Sequence, residues 1–360
     1  MKKKQFISAI FFVLSGFFVQ ASDEALKDEE TSGDLKSEIK AYIRHHLQDT
    51  HDFSVGSYTT EEGKKKYIGF SLPVILWDDG LVVFSSGKLK HGKAVHRVGS
   101  KYYKLYHGKI YQTNTEGLIS YDADKHVTNS KPLDLSMTKS VMTMLFTSAL
   151  MFFLFRGLAQ SYKRNGSIAS GVGRFFEPIV LYIRDDIAIP NIGKKHYKKY
   201  MSYLLTIFFF IWFLNILGLS PLGINVTGNI AVTFGLALLT FLITNLTANK
   251  NYWAHIFWMP GVPVIMKIVL APIELLGVII KPFSLLIRLY ANIQAGHIVL
   301  MSLIGLMFIF NNWLGSSLSF VLAFAISIIE VLVALLQAYI FTMLSALYFG
   351  FAVEEHEEAH

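Results

Sequence analysis

The chain has 360 residues and a formal net charge of +7, with 52% hydrophobic residues and a mean hydropathy of +0.42. A soluble globule needs more polar surface than this composition supplies, so the apolar content points to lipid contact. There is no cysteine, which excludes a disulfide framework, thiolate chemistry and cysteine metal sites.

The N-terminus carries Lys2, Lys3 and Lys4, an apolar run from Phe6 to Val19, then Gln20-Ala21 and an abruptly polar segment from Ser22. This is the pattern of a removed signal peptide over 1–21, with a retained anchor as the alternative, and either places the polar segment from Ser22 onward outside the cytoplasm. Residues 22 to about 57 are polar and read as helical or partly disordered. From Tyr67 the pattern turns to short β-prone runs, with Asp78-Asp79-Gly80 suited to a tight turn between Pro73–Trp77 and Leu81–Phe84. Residues 67–130 are therefore expected to form a small extracytoplasmic β-rich part of an N-terminal region, 22–135. His91, His96, His107 and His126 have no metal-ligand spacing and read as solvated. Lys88, Lys90, Lys93, Arg97, Lys101 and Lys104 form a basic cluster suited to anionic headgroups, an acidic partner or plain solvent. An exported location argues against nucleic acid.

The membrane part is expected over 136–353. A first span starts near Ser140 and ends between Phe155 and Gln160. The next segment, to Tyr200, holds eight Lys or Arg residues against Glu177, Asp185 and Asp186, which places it in the cytoplasm as a loop. No Asp, Glu, Lys or Arg occurs from Met201 to Asn249 or from Leu289 to Ile329. Met201–Leu219 and Ile230–Leu246 are read as spans joined by an uncharged turn at Ser220–Gly223, with a cytoplasmic loop from Lys250 to Pro263. Val264–Ile287 carries Lys267, Glu274 and Lys281 and is punctuated by Pro263, Pro272 and Pro282. It is expected to be a kinked segment, embedded at the interface or against protein. Two long helices come next, to about Phe310 and from Leu318 to Phe349, joined by an outer turn around Asn311–Ser317. At ~1.5 Å per residue the two helices exceed ~40 Å, so they tilt or protrude from a core of roughly 30 Å. The acidic tail, 354–360, reads as solvated and cytoplasmic. The fold class expected is an all-α polytopic membrane protein with about five spans, one kinked membrane-embedded segment and a small β-rich N-terminal region.

Between Leu285 and Val353 the charged side chains are Arg288 and Glu330, accompanied by His297, Asn292, Gln294 and Gln337. An arginine in hydrocarbon costs several kcal/mol, so it serves a purpose or reaches the surface. A hairpin turning near 313 sets His297 opposite Glu330, and Arg288 opposite Gln337 one layer nearer the cytoplasm. Arg288 and Asn292 share a helix face, whereas His297 is turned about 180° from Arg288 at about 100° per residue. Imidazole and carboxylate exchange protons, and arginine does not, which suits Arg288 to be an electrostatic barrier and transient counterion. Glu274 and Lys281, seven apart, share a face and border either an aqueous half-channel or the wet side of an interfacial helix.

The stretch Lys281-Pro282-Phe283-Ser284-Leu285-Leu286-Ile287-Arg288-Leu289-Tyr290-Ala291-Asn292-Ile293-Gln294-Ala295-Gly296-His297, with Glu330 and Leu336-Gln337-Ala338-Tyr339-Ile340-Phe341 at the expected interval, resembles subunit a of bacterial F-type ATP synthases. Asn225-Val226-Thr227 and Asn229-Ile230-Ala231-Val232-Thr233 are similar to the family's earlier polar turn, and the resemblance covers about 135–353. It implies a proton-conducting stator subunit that has no independent catalysis, binds no cofactor or metal, and lies in the bacterial inner membrane with the C-terminus cytoplasmic. Its implied partners are the c-subunit ring, the b-subunit peripheral stalk, the other ATP synthase subunits and membrane lipids. By the same resemblance Arg288 faces the ring carboxylates, with Asn292 and Gln337 near it. Glu274 marks the cytoplasmic half-channel, and His297 with Glu330 the opposite one, their residue types exchanged relative to many bacterial relatives. The long N-terminal region departs from the shorter common form. A stand-alone transporter using Arg288 for an anionic substrate, and a passive membrane anchor for the exported region, are the competing readings.

Overall fold

The computed structural model describes residues 47–59, 65–124, 126–166, 173–220, 224–259, 263–310 and 313–354, with single positions 39, 43 and 171. The expected signal peptide, most of the polar segment after it, the tail beyond 354, and parts of the turns expected at 220–223 and 311–317 lie outside the described residues. Residues 42–360 belong to one compact unit.

The N-terminal part is β-structured and begins earlier than the sequence pattern indicates. Strand β1 (Asp52–Thr59) pairs antiparallel with β2 (Lys65–Ser71), with a register shift between Ser54 and Gly56. Most of β1 was expected to be helical or irregular, because the segment up to about 57 is polar as a whole and hides the short alternation of Phe53 and Val55. Next come β3 (Pro73–Trp77) and β4 (Leu81–Ser85), a hairpin with Trp77 opposite Leu81. Its turn is made by Asp78, Asp79 and Gly80, with Asp79 at φ 54° and Gly80 at φ 150°. A 3-10 helix (Ser86–Gly92) leads to β5 (His96–Val98), β6 (Lys101–Tyr106) and β7 (Lys109–Thr113), an antiparallel three-stranded sheet. Finally β8 (Leu133–Asp134) returns to pair with β3. Val74, Leu76, Phe84, Leu89, Tyr103 and Ile110 form the core between these sheets.

Helix α1 (Lys139–Asn165) starts five residues after β8, with Thr138 accepting at its N-cap from the Val141 N–H at 3.4 Å. The segment expected to be a loop is largely helical: α2 (Gly173–Tyr182), a π-helical turn (Ile183–Ala188) and α3 (Ile189–Ile192). Glu177, Asp185 and Asp186 therefore stand on helical backbone; their charge density suggested a loop, but buried Phe176, Ile183, Ile187 and Ile192 dock the segment on the core. Then come α4 (Tyr197–Leu219), α5 (Ile230–Leu246) and the short α6 (Lys250–Phe257), bent by 99° from α5 where a plain loop was expected.

The segment expected to be kinked and distinct from the helix after it is continuous with it: α7 runs unbroken from Val264 to Ile309, with Pro272 and Pro282 inside. A membrane environment tolerates proline within a helix where neighbouring groups satisfy the freed carbonyls. The last helix, α8 (Trp313–Val353), packs back along α7 and against α4. Small side chains on α8 (Ala334, Ala338, Ser345, Ala346) are fully buried and admit close helix approach. Phe209, Phe341 and Phe349 fill the space between α4 and α8, and Phe349 stacks on Tyr200 at 4.5 Å. The end of α8 is fastened by Asn249, whose N–H donates to the Ala352 carbonyl at 2.8 Å and whose Nδ2 donates to the Val353 carbonyl at 3.1 Å.

The fold is thus largely helical and membrane-associated, with an N-terminal β-sheet region. Among the described residues three helices, 139–164, 197–219 and 313–353, are long and apolar enough to cross a bilayer, and the bent pair α5–α6 makes a fourth if it is one span. Exposed Ile265, Ile268, Ile280, Leu332 and Leu336 give the outer surfaces of α7 and α8 the apolar character that lipid or membrane partners cover.

Candidate functional site

Polar side chains inside the helical part gather along α7 at three levels. Lowest in sequence, Glu274 and Lys281 line one cavity of about 300 Å³ together with Asn251, Tyr252, His255 and Glu354. The seven-residue spacing brings both charges to one side, as helical periodicity requires. The Lys281 ammonium also lies 5.3 Å from the Phe351 ring, in cation–π range.

At the second level Arg288 is half-buried, and among the described residues its guanidinium forms no hydrogen bond or ion pair. One turn on, the Asn292 Nδ2 donates to the Gln337 Oε1 at 2.8 Å. Gln337 is 1% exposed, so this bond satisfies an amide removed from water, whereas Asn292 lies on the exposed side of α7. The residue that meets Gln337 across the hairpin is therefore Asn292, four positions beyond the Arg288 expected from simple register.

At the third level Glu330 is buried against Gly296, where a Cβ would overlap its carboxylate. Neither carboxylate oxygen has a hydrogen-bond partner among the described residues, and the same is true of the His297 Nε2. His297 turns away from the hairpin toward α4, and a Cβ added at Gly218 would stand 3.6 Å from its Nε2. The structure brings His297 and Glu330 to the same height, as the hairpin arithmetic requires, but without a hydrogen bond or ion pair between them. Burying ionisable groups in a membrane is costly, which makes these two residues candidates for a functional site.

A further polar set lies between α7, α4 and the turn before α5. Gln294 Oε1 accepts from the Asn225 Nδ2 at 2.9 Å, and the Asn225 Oδ1 accepts from the Gly228 N–H at 2.9 Å. Asn215 is buried in α4, its Oδ1 accepting from the Thr227 hydroxyl at 2.7 Å and its Nδ2 donating to the Ala334 carbonyl at 3.3 Å. A second cavity, about 280 Å³, is lined by Asp49, Lys139, Asn225, Asn229 and Tyr290 among others. Asn215 and Asp49 escaped the sequence reading. Asn215 had a signal, a lone amide within an apolar run, whereas Asp49 is one carboxylate among many.

Residues 141–350 match the protein family described as ATP synthase A chain. The chain belongs to this family. It is 42% identical over 237 residues to ATP synthase subunit a of Chloroherpeton thalassium, an alignment covering 63% of this chain and 70% of the relative. Against ATP synthase subunit a of Myxococcus xanthus the identity is 40% over 236 residues, covering 63% and 77%. Against that of Chlorobium phaeobacteroides (strain DSM 266) it is 42% over 234 residues, covering 63% and 68%. Residues 42–135 match a second family, described as a domain of unknown function, DUF8433. As an F-type ATP synthase subunit a, the chain is a non-catalytic, ion-translocating membrane subunit with a proton-translocating stator role. The buried polar levels of α7 and α8 fall within the matched segment, and the Asp49 cavity straddles its start.

Proposed function

We propose that this chain conducts protons through two half-channels, one on each side of Arg288, and that it couples this flow to rotation of a c-subunit ring. The observation that carries the reading is the separation of polar groups along α7. Glu274 lines one cavity, while Gln294 is bonded to Asn225 of a different polar set, and Arg288 stands between with no hydrogen-bond or ion-pair partner among the described residues. A continuous wet path would short-circuit the gradient, whereas two offset paths force each proton to ride on a moving carrier.

On this reading a proton arrives by way of His297 and Glu330 and neutralises a carboxylate of the ring. The neutral site travels through lipid at far lower cost than a charged one. After nearly a full turn it releases the proton toward Glu274. Arg288 then holds the newly ionised carboxylate and, because it never loses its own proton, blocks direct leakage. The Asn292–Gln337 bond fixes the face of α7 and α8 beside the guanidinium.

The topology that accompanies this role has five crossings, α1, α4, α5, the later part of α7, and α8, with the earlier part of α7 embedded at the cytoplasmic interface. The basic segment around Lys163–Lys199 supports a cytoplasmic side for the α1–α4 connection. Residues 22–135 then form the extracytoplasmic region and 136–353 the membrane domain, in a bacterial inner membrane with the C-terminus cytoplasmic. The ring, the b-subunit peripheral stalk and the remaining ATP synthase subunits are the partners.

The test is Arg288→Ala in the assembled enzyme. Coupled ATP synthesis is expected to be lost while the complex still co-purifies, and synthesis at the normal rate would end the proposal. An anion transporter needs its binding site at Arg288, yet the guanidinium lines neither the Glu274 cavity nor the Asp49 cavity. Substrate flux by the purified subunit without a ring would restore that alternative.

A further inference from the structure

We infer that Asp49, which lies before the first membrane helix, is the proton-collecting carboxylate at the outer mouth of the path toward Glu330. The inference rests on the proton-conducting reading and gives the N-terminal region a share in it. Residues 49 and 50 are clamped onto the start of α1: the Asp49 Oδ1 accepts from the Ser140 N–H at 3.0 Å, and the Thr50 carbonyl accepts from the Lys139 N–H at 2.9 Å. The Asp49 Oδ2 accepts from the Asn229 Nδ2 at 3.4 Å, across 180 residues of sequence. One carboxylate therefore ties the β-region's entry, the top of α1 and the loop before α5 together.

The same carboxylate lines the cavity of about 280 Å³. A water occupies ~30 Å³ in the liquid, so the cavity has room for several, and its amide and hydroxyl walls supply their hydrogen-bond partners. Asn225 belongs both to that wall and to the hydrogen bond with Gln294, three residues before His297 on α7. Carboxylate, cavity and amide pair thus run from the β-region to Gln294, which stands one helical turn from His297, the imidazole at the buried Glu330 level. The amides hold their protons and orient water, whereas Asp49 is the group in this mouth suited to take a proton from bulk water and pass it on. The titratable groups facing Asp49 are Lys139 on α1 and Tyr290 on α7, while the loop before α5 contributes amides. His107 adjoins Gly108 in the β6–β7 turn, where a Cβ would stand 3.9 Å from the Asp49 carbonyl.

A bland alternative is that Asp49 merely holds the N-terminus of α1. Asp49→Asn keeps an oxygen that accepts from Ser140 but loses both the bond from Asn229 and the capacity to collect protons, so the two readings separate on whether the loss depends on outer pH. The assay is ATP synthesis by the assembled enzyme in liposomes, at fixed driving force and varied pH on the outer side. Asp49→Asn and Asp49→Ala are expected to slow synthesis about tenfold at alkaline outer pH, the lower end of what a charged mouth adds to capture rates. The deficit is expected to close as protons become abundant, and Asp49→Glu is expected to restore the rate. Wild-type rates for Asp49→Asn at every pH overturn the proposal. Asn225→Leu leaves the Asp49 contacts in place and interrupts the link to Gln294. It is expected to give a loss whether or not the Asp49 variants assemble, and an unimpaired rate likewise overturns the path. Glu330→Gln in the same assay isolates the parent reading: if it too leaves synthesis unchanged, proton conduction itself fails, whereas its loss beside a normal Asp49→Asn rejects Asp49 alone.

Discussion

Gly296 on α7 lies so close to Glu330 on α8 that a Cβ at position 296 would run into the carboxylate. The absence of a side chain at one position thus sets where the only acidic group of α8 stands. Gly296→Ala forces either the carboxylate or the helix to move, at a cost of ~1–3 kcal/mol for overpacking. The expected outcome is an assembled complex with strongly reduced ATP-driven proton pumping in membrane vesicles, and pumping at the normal rate would show that the contact is slack.

The amide pair gives a second expectation. Asn292→Leu removes the donor to Gln337 and leaves a buried carbonyl oxygen unpaired, which costs about 1–3 kcal/mol. Replacing both residues by Leu should recover part of that stability. Thermal unfolding of the detergent-purified complex, run as a double-mutant cycle, measures the difference. A double variant less stable than Asn292→Leu alone would contradict it.

The β-region should carry its own acid sensitivity. Burial opposes ionisation of Asp134, but hydrogen bonds with His51 at 2.8 Å and with Ser136 outweigh it and bring the carboxyl from 3.8 down to about 2. A depressed carboxyl contributes stability that is present above the unfolded value and is lost as pH falls through the folded one. The window is therefore from about pH 4 down to about pH 2, and the loss is up to ~2 kcal/mol. Hydrogen exchange in 52–134 of the purified protein should rise through this window, and Asp134→Asn should flatten the rise. An unchanged pH profile in that variant would remove Asp134 as its cause.

On the other side of Arg288, Glu274→Gln keeps the shape of the cavity shared with Lys281 and removes its exchangeable charge. Coupled synthesis is expected to fall severalfold without loss of assembly. An equal effect from Glu274→Ala and none from Glu274→Gln would make the residue a matter of packing.

Much of this architecture is written in local patterns. The uncharged runs after Met201 and after Leu289 mark apolar helix, and Asp78-Asp79-Gly80 marks its hairpin turn. The level of Glu330 comes from counting residues about the α7–α8 turn, because two antiparallel helices of equal rise keep a common register. What counting misses is rotation: His297 points at α4, and Gln337 bonds to Asn292, choices made by tertiary packing. Pro272 and Pro282 read locally as breaks, yet α7 continues through both. Strand β1 closes a mostly polar segment and pairs with β2, which lies after it in the chain. Asp49 owes its place to Ser140 and Asn229, which lie far away in the chain, and no window of sequence contains that fact.

The two bonds from Asn249 to the final carbonyls of α8 bear on force as well as fold. On the proposed role, a ring turning beside α8 would load it sideways, and a helix with a frayed end would yield to that load. The last turn is knotted to the elbow between α5 and α6, so under that role the recoil would pass into a second pair of helices instead of bending the helix that carries Glu330.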